Sequence, residues 1–153
     1  VSPQTVPFVI DAEGTGVAQR LTVAGEHQHT FDADTYPSFG GADAAPSPLS
    51  YALGALTSCN QVTGSIVAKG LGVTLGTWTI HVQGDLNPAV IGAGAHGNAN
   101  FDRVAVRVRV QTDADEATFE TLRTETERRC PVTQLFKRSG LEFSSDWERL
   151  PLS

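Results

Sequence analysis

Two residues in this 153-residue chain have the chemistry to be nucleophiles of unusual reactivity: Cys59 and Cys130, its only cysteines. Cys130 stands directly before Pro131, and Cys-Pro reads as an N-cap followed by the first position of a helix. The partial positive charge of a helix N-terminus favours a thiolate, and the thiolate is the attacking form. Arg128 and Arg129 precede it and add positive charge. On these features alone Cys130 reads equally as a reactive thiol or as a small buried side chain at a helix start. Cys59 falls in the middle of an uncharged stretch, away from either helix end, and by itself reads as a packed thiol. Taken as a pair they change meaning. Two cysteines are too few for a disulfide scaffold or a Cys-based zinc site, whereas a dithiol in a reducing compartment is most often a redox centre.

The thiols need elements to bring them together. No charged residue occurs from Ala44 to Ala68. Its eight Ser, Thr, Asn and Gln residues from Ser47 to Ser65 would be costly in hydrocarbon but are readily paired inside a protein, so a buried helix is expected and not a membrane span. Ser47-Pro48 supplies the N-cap and first position; Lys69-Gly70 supplies the stop. The helix is then roughly 33 Å long, and with no charged face it should be surrounded by protein. Gly54, Ala55, Ser58 and Cys59 form a small-residue patch on it, where a second helix, from this chain or a second subunit, could pack.

Strands flank this helix. Leu21 and Val23 alternate with polar neighbours; His27, His29 and Phe31 share a face of a following strand, with a turn near Gly25. Trp78, Ile80 and Val82 alternate with Thr77, Thr79, His81 and Gln83. Val104, Val106, Val108 and Val110 alternate with Arg103, Ala105, Arg107 and Arg109, a half-buried strand with a wet face. The Gly- and Ala-rich connector from Asp85 to Asn100 reads as a loop. Asp113 and Glu116 form an Asp-type capping box, which predicts a helix to about Arg128. A second helix follows from Cys130-Pro131 to Gly140, and Leu141, Phe143, Ser145 and Trp147 alternate as a last strand. Strands and helices cluster instead of alternating, so the class is α+β. Length and the absence of a separating linker predict a single domain over residues 1–153.

Charge excludes some functions. Eleven basic against 17 acidic residues give 11 − 17 = −6, a poor match for nucleic acid. No basic run suited to anionic lipid is present. No apolar segment with a basic flank opens the sequence, so a cytoplasmic location is the expectation. His27 and His29 could bind a metal with a third ligand, but paired histidines of this kind are far more often simply solvated. Gly92, Gly94 and Gly97 are followed by no Gly-Lys-Ser/Thr and form no phosphate loop.

Two stretches carry a family resemblance. Gly40-Gly41-Ala42-Asp43-Ala44-Ala45-Pro46-Ser47-Pro48-Leu49, followed by Ala55-Leu56-Thr57-Ser58-Cys59, resembles the central-helix signature of the OsmC/Ohr family, the osmotically inducible and organic hydroperoxide resistance proteins. Arg129-Cys130-Pro131-Val132 resembles its second motif. With element order included, the resemblance extends from about Leu21 to Trp147. It implies an OsmC-like fold, with antiparallel sheets packed around a long central helix, in an intertwined homodimer. It also implies a peroxidase for organic hydroperoxides in which Cys59 attacks and Cys130 resolves. That order reverses the ranking from helix ends alone. An external dithiol, such as a lipoyl group, would recycle the pair, with no metal or organic cofactor. The family arginine that orients the thiolate maps to Arg20, the only arginine in the N-terminal strands. The family glutamate after the helix-opening proline has no counterpart: Leu49 and Ser50 stand there. That departure points to a divergent OsmC-like branch, and raises an alternative: a non-catalytic dimer holding an apolar small molecule in an interface cleft.

Overall fold

The computed structural model describes residues 4–153, which divide into two compact units, one through Tyr51 and one from Ala52 to Ser153. The first unit is an antiparallel sheet of three strands, β1 (Ile10–Thr15), β2 (Ala18–Val23) and β3 (His29–Ala33), in that spatial order. The turn near Gly25 joins β2 and β3 as expected. β3 begins at His29, so His27 lies in the turn and the two histidines do not share a strand face. β1 is exposed along its whole length, and Ala33 is the only buried residue among the three strands.

The loop that follows, carrying the Gly40-Gly41-Ala42-Asp43-Ala44 stretch, is folded around one carboxylate. Asp34, buried, accepts the backbone N–H groups of Thr35 (2.8 Å), Ala42 (3.2 Å) and Ala44 (3.1 Å). These bonds hold its carboxyl below the usual carboxylate range. A Cβ at position 41 would stand 2.1 Å from the Thr35 carbonyl oxygen, which only glycine avoids.

α1 (Pro48–Leu71) begins as the sequence predicts, with Ser47 Oγ accepting the Ser50 N–H at 3.2 Å. Within the second unit it buries one stripe, Leu56, Asn60, Thr63, Gly64, Val67 and Ala68. The opposite stripe is open: Val62 and Ile66 keep 58% and 56% of their surface, and nothing lies within 4 Å of a Cβ built on Gly54. The expectation of a helix enclosed on all sides therefore holds for one face of it only.

The buried stripe packs on a second sheet, β4 (Leu75–Leu86), β5 (Phe101–Thr112) and β6 (Glu142–Leu150), in the order β4-β5-β6. Val104, Val106, Val108 and Val110 are buried on its inner face, with Trp78, Ile80, Val82, Phe143 and Trp147 packed around them. α1 approaches the sheet closely at Gly64, where a Cβ would meet the Trp78 ring at 2.5 Å. β4 and β5 are antiparallel, as expected, but β6 runs parallel to β5, because α3 (Glu116–Arg129) and α4 (Pro131–Arg138) intervene and return the chain to the starting edge. The outer face carries Arg103, Arg107 and Arg109. Arg103 lies 3.6 Å from Asp85 and 3.7 Å from Glu142, and Arg109 lies 2.9 Å from Glu148. The basic strip is thus answered largely within its own sheet.

Two helix starts differ from the sequence reading. The cap of α3 is Asp115, which accepts the Thr118 N–H at 2.8 Å; Asp113 instead accepts Thr74 N–H at 2.8 Å, tying the end of β5 to the start of β4. The connector after β4 contains a short helix, α2 (Pro88–Ala93), capped by Asn87. Asn87-Pro88 is the same cap-then-proline signal that marks α1 and α4.

Candidate active site

The junction of α3 and α4 is a single residue. The Cys130 N–H donates to the Thr126 carbonyl at 2.9 Å and closes α3, while its sulfur accepts the Thr133 N–H at 3.4 Å and caps α4. Pro131 explains the break. It has no N–H with which to continue α3, and it forces the residue before it out of the helical region, so Cys130 is extended at φ −75, ψ 112. The junction is further tied by Gln134 Nε2, which donates to the Glu127 carbonyl at 2.9 Å. Cys130 has no exposed surface.

The first turn of α4 also reaches α1. The Val132 N–H favours the charged form of the Cys59 thiol, and Thr63 Oγ1 lies 4.0 Å from the Cys59 sulfur, one turn along α1. Both thiols are free, and Cys130 is among the groups that raise the Cys59 pKa. Partial burial pushes the Cys59 thiol up from its ordinary value. The Val132 N–H opposes that, contact with Cys130 and repulsion from its thiolate reinforce it, and Thr63 opposes it weakly; the net direction is upward. Unlike Cys130, Cys59 keeps part of its surface open to solvent.

Of the N–H groups at this helix N-terminus, that of Thr133 is bonded to the Cys130 sulfur, while that of Val132 opposes the upward shift of the Cys59 thiol. These are donors that a helix leaves without intrahelical partners, and the helix end favours negative charge. The sequence reading assigned this benefit to Cys130 alone and gave Cys59 none. The structure extends it to Cys59, through α4 and not through Cys59's own helix.

Asn60, next to Cys59, was legible only as one polar residue of an uncharged helix. It is buried, and its side-chain amide donates to the Leu56 carbonyl at 2.8 Å and to Thr133 Oγ1 at 3.2 Å. Neither Asn60 nor Thr133 was a candidate in the sequence. The only signal was an amide at a position whose neighbours one turn away, Leu56 and Gly64, face the core.

Arg20 lies in the first unit, on β2. Its Nε donates to Asp32 Oδ1 at 2.8 Å and its Nη2 to Asp32 Oδ2 at 3.2 Å, across a register pair with β3. That hydrogen bond raises the Arg20 pKa and lowers that of Asp32. After Pro48, where the sequence carries Leu49 and Ser50 and no carboxylate, Ser50 Oγ lies 3.1 Å from Ser47 Oγ, a hydroxyl pair at the helix cap. Among the described residues no group of three His, Cys, Asp or Glu side chains could hold a metal ion, and no helix is long and apolar enough to cross a membrane.

Comparison with known proteins follows the same lines. The family model for OsmC-like proteins matches residues 40–145, which include both thiols and α4. Among curated proteins none matches the sequence. Among solved structures, an OsmC-like protein from Mycoplasma pneumoniae superposes with a TM-score of 0.76 at 16% identity, over 96% of this chain and 99% of that one. An organic hydroperoxide resistance protein OsmC from Legionella pneumophila gives 0.67 at 15% identity, over 95% and 99%. The organic hydroperoxide resistance protein of Bacillus subtilis gives 0.57 at 18% identity, over 94% and 98%. At such identities the superpositions speak to the fold, which is α+β and OsmC-like.

Proposed function

Since the chain belongs to the OsmC-like family, we propose that it is a thiol-dependent peroxidase for organic hydroperoxides, with Cys59 as the attacking and Cys130 as the resolving residue. The observation that supports this most is the contact of α1 with the first turn of α4: Thr133, whose N–H holds the enclosed Cys130 sulfur, is bonded by Asn60, the neighbour of the partly open Cys59. A substrate can meet only the open sulfur, which favours Cys59 for the first step.

In this reading the Cys59 thiolate attacks the distal oxygen of ROOH. The O–O bond breaks, ROH leaves after taking a proton, and Cys59 becomes a sulfenic acid. The Cys130 thiol then attacks that sulfur, giving the disulfide and water. An external dithiol, such as a lipoyl group, exchanges with the disulfide and is itself oxidised. The Val132 N–H steadies negative charge on Cys59 before the first step. Arg20 is retained as the thiolate-orienting arginine of the resemblance. Its pairing with Asp32 implies that it must exchange partners to act there.

The same reading makes residues 1–153 one domain and the working molecule a homodimer in the cytoplasm. Two surfaces support self-association. Val6, Phe8, Val9, Ile10 and Val17 are exposed in the first unit, and Val62 and Ile66 are exposed on the uncharged face of α1 in the second. One further feature favours the non-catalytic alternative, a ligand-holding dimer: a cleft of about 690 Å³ lies along α1, lined in part by Val62, Ile66 and Ile80.

The test is consumption of cumene hydroperoxide in the presence of a dithiol. Wild type should turn over and Cys59→Ser should not, while Cys130→Ser should react once without forming the intrachain bridge. Equal, slow consumption by wild type and Cys59→Ser would end the peroxidase reading. In that case, an apolar ligand retained by the purified protein with both thiols blocked would favour the alternative.

A further inference from the structure

We propose that Asn60 is the positioning residue of the thiol pair: its buried amide, bonded to Thr133, sets where the first turn of α4 sits against α1 and thereby how readily the two sulfurs join. The inference rests on the redox reading of Cys59 and Cys130.

The connections are short and specific. Asn60 is the residue after Cys59, and Thr133 is the residue whose N–H holds the Cys130 sulfur. The bond between Asn60 Nδ2 and Thr133 Oγ1, 3.2 Å long, links those two positions side chain to side chain. The second Asn60 donor is committed to the Leu56 carbonyl of its own helix at 2.8 Å, so the amide cannot rotate away without losing a bond in the interior. Thr133 has no exposed surface, and Asn60 has almost none. A buried amide or hydroxyl left unpaired is costly, which makes the joint directional. Apolar packing between two helices carries no such direction. A leucine at position 60 could press α4 against α1 equally well while letting it slide along the axis. Sliding would move the Thr133 N–H and the Cys130 sulfur it holds relative to the Cys59 sulfur on α1.

The consequence falls on the second chemical step. Once Cys59 is a sulfenic acid it has two fates. Cys130 can attack it, releasing water and forming the disulfide. Otherwise a second hydroperoxide oxidises it to the sulfinic acid, leaving as the alcohol. Position decides the first fate and leaves the second untouched, since displacements on the order of 1 Å are enough to slow a bond-forming step about a hundredfold.

The experiment uses the full chain as wild type, Thr133→Val, Thr133→Ser and the double variant Asn60→Leu/Thr133→Val. Replacing both partners by apolar groups of similar shape is nearly neutral for stability, so the double variant should keep the wild-type unfolding midpoint. Disulfide formation is followed by mass spectrometry as the loss of two hydrogens, first with cumene hydroperoxide and separately with diamide, which accepts those two hydrogens without any peroxide chemistry. Thr133→Val and the double variant should close the bridge on the order of tenfold more slowly with either oxidant. With excess hydroperoxide they should gain two oxygens on Cys59 in place of the bridge. Thr133→Ser, which keeps the hydroxyl, should behave as wild type. Wild-type closure rates in a folded double variant would overturn the proposal, as would a Thr133→Ser variant as slow as Thr133→Val. Should wild type ignore hydroperoxide while diamide still separates the variants as described, the peroxidase reading fails and the positioning role stands.

Discussion

The open face of α1 makes a quantitative demand on the proposed homodimer. Full burial of a Val or Ile side chain contributes about 1.5–3 kcal/mol. Val62 and Ile66 retain 58% and 56% of their surface, so about 1 kcal/mol remains to be gained at each when a second copy covers them. Two residues on each of two copies give about 4 kcal/mol, and tenfold in affinity corresponds to about 1.4 kcal/mol. Val62→Asp/Ile66→Asp should therefore weaken association on the order of a thousandfold. That figure assumes full coverage of both side chains and omits the cost of enclosing carboxylates without partners. The folded monomer should hardly notice. Both side chains are exposed, Val, Ile and Asp are similar in helix propensity, and substitutions at such positions fall within about 0.5 kcal/mol. Sedimentation velocity across a concentration series reads the association, and urea unfolding of the monomeric variant reads the fold. A wild type that stays monomeric, or a double variant that associates as tightly as wild type, would refute the assignment of this face to a second copy. A variant that unfolds would refute the claim that these side chains contribute little within the chain.

Two other outcomes follow from the geometry. Gly64→Ala places a methyl 2.5 Å from the ring of Trp78, which is itself braced edge-on by Trp147 at a centroid distance of 5.7 Å. Overpacking costs about 1–3 kcal/mol and the gain in helix propensity returns about 1 kcal/mol, so the urea midpoint should fall with an unchanged slope; a midpoint at or above wild type contradicts the close approach. Cys130→Ser removes the sulfur whose contact and charge both push the Cys59 thiol up, leaving burial opposed by the Val132 N–H and Thr63. The midpoint for alkylation of Cys59 by iodoacetamide should move to lower pH and its rate at neutral pH should rise, whereas an unchanged or higher midpoint would mean that the thiols do not sense each other.

What was legible in the sequence divides by range. Ser47-Pro48 and Cys130-Pro131 placed two helix starts, because a cap and a proline act on their immediate neighbours. The same signal at Asn87-Pro88 was readable, but the Gly- and Ala-rich composition around it drew the reading toward a loop. The spacing of Asp113 to Glu116 fits a capping box and points to Asp113 as the cap of α3. Its carboxylate is committed instead to Thr74, 39 residues away, and no local pattern carries that information. β6 alternates visibly, yet alternation is blind to direction, so its parallel pairing with β5 was not foreseen.

The same limit explains why the two thiols were ranked differently by physics and by resemblance. Reasoning from a helix end considers the sulfur attached to that helix, and so favours Cys130. In the fold a helix end is a surface with several unpaired donors, and any sulfur that packs against it shares them. Cys59, mid-helix and without help from its own termini, has its upward pKa shift opposed by the Val132 N–H of the turn that Cys130 begins. Burial then separates the two: the sulfur at the cap is enclosed, and the one on α1 is partly open. Under the proposed peroxidase reading, a pair built this way needs no charged residue to distinguish attacker from resolver. In the proposed mechanism the distinction comes from which sulfur a substrate can reach, and the proposed role of the Asn60–Thr133 bond is to hold the two helices where that difference exists.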